Sequence, residues 1–145
     1  MSEVITDKLT GRATAGDVTI TDGSVTVKLR EGLAKCLFSF DGSDSTPSYK
    51  KSFNTSTLTD NGEGDYTVGY TNNMDDKNYT FAGSQSHNTE SSGLFSFMFK
   101  DGSAWDGTYK NTSQARFESA YANSTSNKTN FDYRHQNGTI HGDLA

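Results

Sequence analysis

The chain has 145 residues, of which 31% are hydrophobic, and its formal net charge at pH 7 is -5. The hydrophobic share is well below the usual value of about 45–50%, and Ser, Thr, Asn and Gly together supply 62 residues. This composition is typical of a β-rich chain with many turns, and it argues against a coiled coil, a helical bundle or a membrane span. Because 13 basic residues stand against 18 acidic ones, it also argues against a nucleic-acid partner.

The first 32 residues differ from the rest because they contain no aromatic side chain. Two short β-like stretches, 17–20 and 25–29, are joined through Asp22-Gly23. The opening residues lack a basic stretch followed by an apolar one, so we expect no secretory signal there. No run of about 18 apolar residues occurs in the sequence, so we expect no membrane insertion. The sequence predicts an N-terminal docking or assembly segment over 1–32 and a main domain over 33–145.

After residue 32, aromatic and apolar residues recur at every second position, a period typical of half-buried strands. The runs are Cys36-Phe38-Phe40, Tyr66-Val68-Tyr70, Tyr79-Phe81, Phe95-Phe97-Phe99 and Phe117-Tyr121. Dipeptides that favour tight turns occur between them, namely Asp41-Gly42, Asn61-Gly62, Asp101-Gly102, Asp106-Gly107 and Asn137-Gly138. These patterns predict an all-β fold, an antiparallel, jelly-roll-like β-sandwich with a short extended N-terminal β leader.

Few residues in the chain suggest chemistry. Cys36 alternates with Phe38 and Phe40, so we expect a buried hydrophobic residue and not a reactive thiol. The histidines, His87, His135 and His141, do not have the spacing of a structural zinc site. No catalytic or phosphate-binding motif occurs in the sequence. We therefore expect a protein that is not an enzyme and that uses no cofactor and no metal.

A glycine-rich loop collects three carboxylates, which is the type of loop that calcium favours. The loop runs from Asp60 to Asp65, and its carboxylates are those of Asp60, Glu63 and Asp65. The residues of the turn motif are Asp60, Asn61, Gly62, Gly64, Asp65 and Tyr66. Their spacing does not match the EF-hand pattern. A hairpin turn whose polar side chains cap their own backbone explains the same residues, and the sequence leaves the calcium alternative open.

The best candidates for binding residues are Trp105, Tyr109 and Arg116. Exposed aromatic rings beside polar residues are suited to stacking on a sugar or to contacting a protein partner. A structural alternative is that Trp105 packs over one end of the sandwich. We expect the outer loops at 85–93, 101–109 and 122–130.

Residues 50–84 resemble a segment of tail-fibre-like and minor virion structural proteins of marine tailed phages, of the cyanophage and pelagiphage type. The likeness consists of a Ser-Phe-Asn-Thr-Ser element (52–56), a Thr-Asp-Asn-Gly-x-Gly-Asp-Tyr-Thr-Val hairpin (59–68) and a Met-to-Tyr connection (74–79). The stretches 10–21, 31–35 and 140–145 are also similar to that family. Residues 94–139 match no part of it.

The resemblance implies a virion protein, assembled in the host cytoplasm, that does not act as an enzyme. We expect a short tail-fibre or receptor-binding module that acts by multivalent binding as a homo-oligomer, with a trimer favoured. Its partners would be other virion proteins and a host surface glycan or protein. One alternative is a capsid knob or decoration protein docked on capsomers, and a second is a carbohydrate-binding or depolymerase module.

Overall fold

The computed structural model describes residues 18–22, 24–86, 94–100, 108–123 and 127–145. The chain divides into two compact units, Met1–Leu33 and Ala34–Ala145. The sequence places its boundary after residue 32, where the stretch without aromatic residues ends, and the structural division lies one residue later. In the described part of the chain the one helix has four residues, too few to cross a membrane.

The N-terminal unit contains an antiparallel hairpin of β1 (Thr19–Asp22) and β2 (Val25–Lys28), followed by a helical turn, α1 (Leu29–Gly32). In the hairpin register, Thr21 pairs with Thr26, and their hydroxyl oxygens lie 3.2 Å apart on one face. Ile20 and Val25 belong to the other face by the alternation of a strand. Both are strongly exposed, at 57% and 61%. The face that contains Ile20 and Val25, which we call the apolar face of the hairpin, therefore exposes two apolar side chains.

The described residues of the second unit form nine strands. They are β3 (Cys36–Phe40), β4 (Tyr49–Phe53), β5 (Thr55–Gly62), β6 (Asp65–Tyr70), β7 (Thr80–Ser86), β8 (Leu94–Phe99), β9 (Gln114–Asn123), β10 (Asn127–Asn130) and β11 (His135–His141). All of their pairings are antiparallel. One sheet, the first sheet, has the order β4-β3-β11-β7. The second sheet has the order β5-β6-β9-β8, with β10 continuing along the β6 edge of β9.

The two sheets pack face to face, which confirms the predicted antiparallel sandwich. The aromatic rings of the two sheets are in contact in the core. Phe40 lies 4.9 Å from Tyr66, and Phe117 lies 5.1 Å from Phe38 and 4.7 Å from Phe81, measured between ring centroids. Burying such rings contributes most of the hydrophobic stabilisation in a chain with few aliphatic residues.

The period-two runs correctly predict the inward side of the strands. Cys36, Phe38 and Phe40 are buried, and so are Tyr66, Val68, Tyr70, Tyr79, Phe97 and Phe117. Phe81 and Phe99 are half-buried against this core. Tyr121, at the end of the Phe117-Tyr121 run, is half-buried, and its ring centroid lies 6.1 Å from that of Phe131.

The turn dipeptides are less accurate as predictions. Asn137-Gly138 lies inside β11 and not in a turn. A Cβ on Gly138 would lie 2.4 Å from the Phe81 ring and 2.5 Å from the Phe38 ring, so this glycine is needed to make room for two aromatic side chains. Asp101-Gly102 and Asp106-Gly107 lie outside the described residues.

Asn61-Gly62 is also misplaced as a turn, because both residues belong to β5. The hairpin turns two residues later, at Glu63 and Gly64, since Gly62 already pairs with Asp65. Gly64 has a φ of +64°, a conformation that glycine adopts without steric cost. The turn motif therefore forms the β5–β6 hairpin, with its corner at Glu63 and Gly64.

The chain passes from the first sheet to the second at Asn54, between β4 and β5. Asn54 has a φ of +55°, which is uncommon for a residue with a side chain. Its side-chain nitrogen Nδ2 donates to the carbonyl oxygen of Lys35 at 2.9 Å, and its side-chain oxygen Oδ1 accepts from the backbone N–H of Asn72 at 2.7 Å. These bonds hold the corner that contains the Ser-Phe-Asn element of the phage resemblance.

Candidate functional site

The candidate site lies on the side of the second sheet that faces away from the core. In β6 and β9, Tyr66 and Phe117 point into the core, so the residues next to them in the strands point outwards. We call this surface the charged face, and it consists of Asp65, Lys100, Tyr109, Arg116, Glu118 and Lys128. The register pairs Asp65 of β6 directly with Glu118 of β9.

The carboxylate of Asp65 is the centre of the charged face. It is only 6% exposed and accepts hydrogen bonds from Nε of Arg116 at 2.6 Å and from Nη2 at 2.7 Å. The ammonium group of Lys100 also contacts it. Burial alone would raise the pKa of Asp65, but the hydrogen bonds and positive charges of Arg116 and Lys100 outweigh burial and lower it. Asp65 is therefore ionised at neutral pH.

Tyr109 lies against the two cations that hold this carboxylate. Its ring centroid is 5.3 Å from the guanidinium carbon of Arg116 and 5.8 Å from the ammonium nitrogen of Lys100. Such distances allow cation–π attraction. The hydrogen bond to Asp65 raises the pKa of Arg116 above its usual range. The guanidinium group is thus fixed in direction by a carboxylate on one side and a ring on the other.

Glu118 and Lys128 extend the charged face along β9. Glu118 is 6% exposed, and its carboxylate contacts the ammonium group of Lys128. Two like charges directly opposite each other on neighbouring strands would be destabilising. The cations of Lys100, Arg116 and Lys128 compensate the pair formed by Asp65 and Glu118. These five side chains together carry a net charge of +1, whereas the net charge of the whole chain is -5.

The structure brings together two of the three residues that the sequence singles out for binding. Tyr109 and Arg116 are in contact, and the side chain of Arg116 is 29% exposed. Trp105 lies outside the described residues. Of the expected outer loops, 87–93, 101–107 and 124–126 also lie outside them, whereas residues 127–130 form β10.

The turn motif supports the charged face from one end. Asp60 Oδ1 accepts a hydrogen bond from the backbone N–H of Gly62 at 2.9 Å, and Asn61 Nδ2 donates to Oγ1 of Thr67 at 2.9 Å. Asp60 thus caps the local backbone, whereas Asn61 bonds to a side chain of the neighbouring strand. Among the described residues, no group of three or more His, Cys, Asp or Glu side chains is arranged to hold a metal ion.

Asp132 is the important residue that the sequence does not reveal. Its Oδ1 accepts hydrogen bonds from the backbone N–H of Gly64 at 2.7 Å and from the hydroxyl of Tyr66 at 2.5 Å. It therefore fixes the turn motif to the connection between β10 and β11. Asp132 lies in the part of the chain that the phage resemblance does not cover, and no local pattern marks it. Lys100, Glu118 and Lys128 were likewise not predicted, because their partners lie on other strands.

The remaining reactive side chains are not part of the charged face. Cys36 is fully buried, as predicted, and burial raises the pKa of its thiol to about 12. His135 and His141 lie in β11 of the first sheet, and His87 is outside the described residues. The charged face is thus a surface of ion pairs and one aromatic ring, an arrangement suited to recognition.

Comparison with protein-family models, with curated proteins and with solved structures gives no match to this chain in any of the three.

Proposed function

We propose that the chain is a structural module of a phage virion surface that does not act as an enzyme. In this proposal it is a short tail-fibre or receptor-binding protein that assembles through its N-terminal unit and binds multivalently through the sandwich. The resemblance of residues 50–84 to phage virion proteins supports it, and so does the β-sandwich fold. The observation that carries the assembly step is the exposure of Ile20 and Val25 on the apolar face of the β1–β2 hairpin.

The exposed apolar face of the hairpin favours association with other copies of the chain. A single two-stranded hairpin is at best marginally stable in water. Ile20 and Val25 remain 57% and 61% exposed, and Leu33 at the end of the unit is 55% exposed. Burying such surface stabilises an association by about 25 cal/mol per Å². Packing these faces from several copies would supply that burial, and the resemblance favours three copies.

Assembly would also multiply contacts made by the sandwich. Each copy presents one charged face, with Tyr109 and Arg116 at its surface. Linking weak sites in one particle raises the overall affinity by about 10²–10⁴ when the geometry allows simultaneous contact. In this proposal, the host surface glycan or protein is bound by such repeated contacts.

The assembly step can be tested by light scattering on the full chain. The variant Ile20→Asp/Val25→Asp places charges on the apolar face of the hairpin. Its matched control, Thr19→Asp/Thr26→Asp, places the same charges on the polar face, where Thr19 and Thr26 are exposed. We expect oligomers from the parent chain and the control, and monomers from the first variant. A monomeric parent chain would contradict the assembly proposal.

The capsid-decoration alternative differs in copy number. Symmetric repetition implies tens of copies per particle at most for a tail fibre, and on the order of hundreds for a capsid decoration. Quantitative mass spectrometry of purified particles that contain the protein, together with immunogold labelling, distinguishes the two. Label on the tail with tens of copies supports the fibre proposal, and label over the whole head contradicts it.

A further inference from the structure

The outer side of the first sheet contains an open groove that the charged face does not use. It has a volume of about 410 Å³ and runs over β3, β11 and β7. Its outward-facing lining residues are Leu37, Ser39, Ala82, Ser84, Asn137 and Thr139. The charged face is on the other sheet of the sandwich, so the two surfaces point away from each other.

The strand register arranges the outward-facing residues of the groove in two parallel rows, and each row continues beyond the groove to a residue of β4. One row crosses the sheet as Phe53, Leu37, Thr139 and Ala82, which are successive partners on β4, β3, β11 and β7. With a strand spacing of about 4.8 Å, this row is about 14 Å long. The second row runs beside it as Lys51, Ser39, Asn137 and Ser84. The first row, which we call the apolar row, is apolar except for Thr139. The second, which we call the polar row, ends at Lys51 outside the groove.

An exposed aromatic ring stands at one end of the apolar row. Phe53 is 58% exposed, the most exposed large apolar side chain described in the second unit, and its partner in the register is Leu37. A ring in this position offers a flat platform at the edge of the sheet. Aromatic platforms of this kind bind flat or weakly polar faces of a ligand without needing charge.

The polar row is uncharged where it lines the groove, and its side chains are available. None of the described residues that line the groove is ionisable. In the part of the chain that the structure describes, no hydrogen bond engages the side chains of Ser39, Ser84 or Asn137. On the charged face, in contrast, the carboxylates of Asp65 and Glu118 are held by cations. The groove therefore favours a ligand that is neutral and rich in hydroxyl groups.

We propose that this groove binds a short neutral oligosaccharide. Phe53 stacks on the apolar face of one sugar ring, and Leu37 and Ala82 contact the next along the row. Asn137, Ser39 and Ser84 donate to and accept from the sugar hydroxyls. This inference rests on the proposed binding role of the module and names a ligand class for it. An uncharged sugar needs no charged partner, which agrees with the lining of the groove.

The test is a titration of the ¹⁵N-labelled full chain followed by NMR. The probes are maltotriose, cellotriose and tri-N-acetylchitotriose, each added to about 10 mM, because we expect a Kd of about 1 mM. We expect chemical-shift changes for the backbone amides of Leu37, Ser39 and Asn137 with at least one probe. No change with any of the three sugars overturns the proposal, and so does a response confined to Tyr109 and Arg116.

Two variants assign the binding to the groove. Phe53→Ala should weaken sugar binding about 10-fold or more, because it removes the aromatic platform. The matched control is Met98→Ala, because Met98 is 46% exposed on the outer side of the second sheet. The control should leave the affinity unchanged. Equal affinity for the parent chain and the Phe53→Ala variant overturns the proposal.

The test of sugar binding can fail or succeed independently of the test of assembly. Phe53→Ala should leave the light-scattering mass unchanged, because Phe53 lies in the sandwich. Sugar binding that persists in the monomeric Ile20→Asp/Val25→Asp variant supports the groove even if the assembly proposal fails. A parent chain that forms oligomers but binds none of the three sugars contradicts the groove proposal alone.

Discussion

The carboxylate of Asp132 lies 2.5 Å from the hydroxyl of Tyr66, 66 residues earlier in the chain. Tyr66 is fully buried, and burial together with the nearby carboxylate raises the pKa of its phenol. The phenol is therefore protonated and donates its proton. Since Asp132 also accepts from the backbone N–H of Gly64, one carboxylate holds together the β5–β6 turn, a core ring and the β10–β11 connection.

Removing the Tyr66 hydroxyl should destabilise the sandwich. We expect Tyr66→Phe to lower the free energy of unfolding by about 1.5–3 kcal/mol, the range for a hydrogen bond to a charged group. Urea unfolding followed by fluorescence measures this change. Tyr121→Phe is the control, because Tyr121 is only half-buried, and it should change stability by less than about 0.5 kcal/mol. Equal effects of the two substitutions would contradict the role given to Asp132.

Gly138→Ala should be far more damaging than an ordinary glycine substitution in a strand. The added methyl group would lie 2.4 Å from the Phe81 ring and 2.5 Å from the Phe38 ring. These rings are stacked at 6.1 Å with an interplanar angle of 7°, so both would have to move. We expect a loss of about 3 kcal/mol or more, in the upper range for overpacked cores.

Gly32→Ala is the control for this prediction. Nothing lies within 4 Å of a Cβ at Gly32. We expect its melting temperature to stay within about 2 °C of the parent chain, whereas Gly138→Ala should melt several degrees lower. A parent-like melting temperature for Gly138→Ala would show that the ring pair can relax.

The ion pairs of Asp65 should make part of the stability depend on pH. Because the pKa of Asp65 is lower in the folded chain than its unfolded value of about 3.9, its ionised form stabilises the fold above that value. This contribution is lost as the pH falls through the folded pKa. We expect Asp65→Asn to cost about 1–3 kcal/mol at pH 7, and the difference from the parent chain to shrink below about pH 4.

Urea unfolding at pH 7, 5, 4 and 3 measures this effect. The control is Asp44→Asn, because Asp44 pairs with Lys50 at the surface at 3.3 Å, with both side chains largely exposed. Exposed pairs contribute about 0–1 kcal/mol. A difference for Asp65→Asn that stays constant down to pH 3 would contradict the ion-pair account.

Cys36 should be protected from thiol reagents while the chain is folded. It is fully buried, and its thiol pKa is raised to about 12, so little thiolate forms at neutral pH. We expect modification by a chromogenic disulfide reagent to occur only as fast as the sandwich opens, and to accelerate in urea. In the variant Cys36→Ala/Thr59→Cys the thiol is on an exposed position of β5 and should react at once. Immediate reaction of Cys36 in the parent chain would contradict its burial.

The sequence predicts the inward-facing strands well because their signal is local. The runs around Phe38 and Val68 alternate within a few residues, which directly reflects the alternation of a strand. Strands β4 and β5 lack such alternation, because each lies at the edge of its sheet and is mostly exposed. Their bounds therefore could not be predicted from hydrophobic period.

The charged face could be predicted only in part. Tyr109 and Arg116 are noticeable as an aromatic and a cation in a polar region. Their relation to Asp65 depends on the register between β6 and β9, which joins residues 51 positions apart. Gly138 shows the same limit, because a dipeptide that resembles a turn is required in a strand by two rings from elsewhere in the chain. Such requirements follow from tertiary packing.

The central place of β11 in the first sheet has a consequence for the order of events on the ribosome. Strands β3 and β7 both pair with β11 and not with each other. Until residues 135–141 have been synthesised, each of them has an open edge facing the missing neighbour, and open edges invite pairing with other chains. At about 5–20 residues per second, this exposed period lasts several seconds for β3. Cellular yield should therefore depend on how well nascent chains are kept apart during translation.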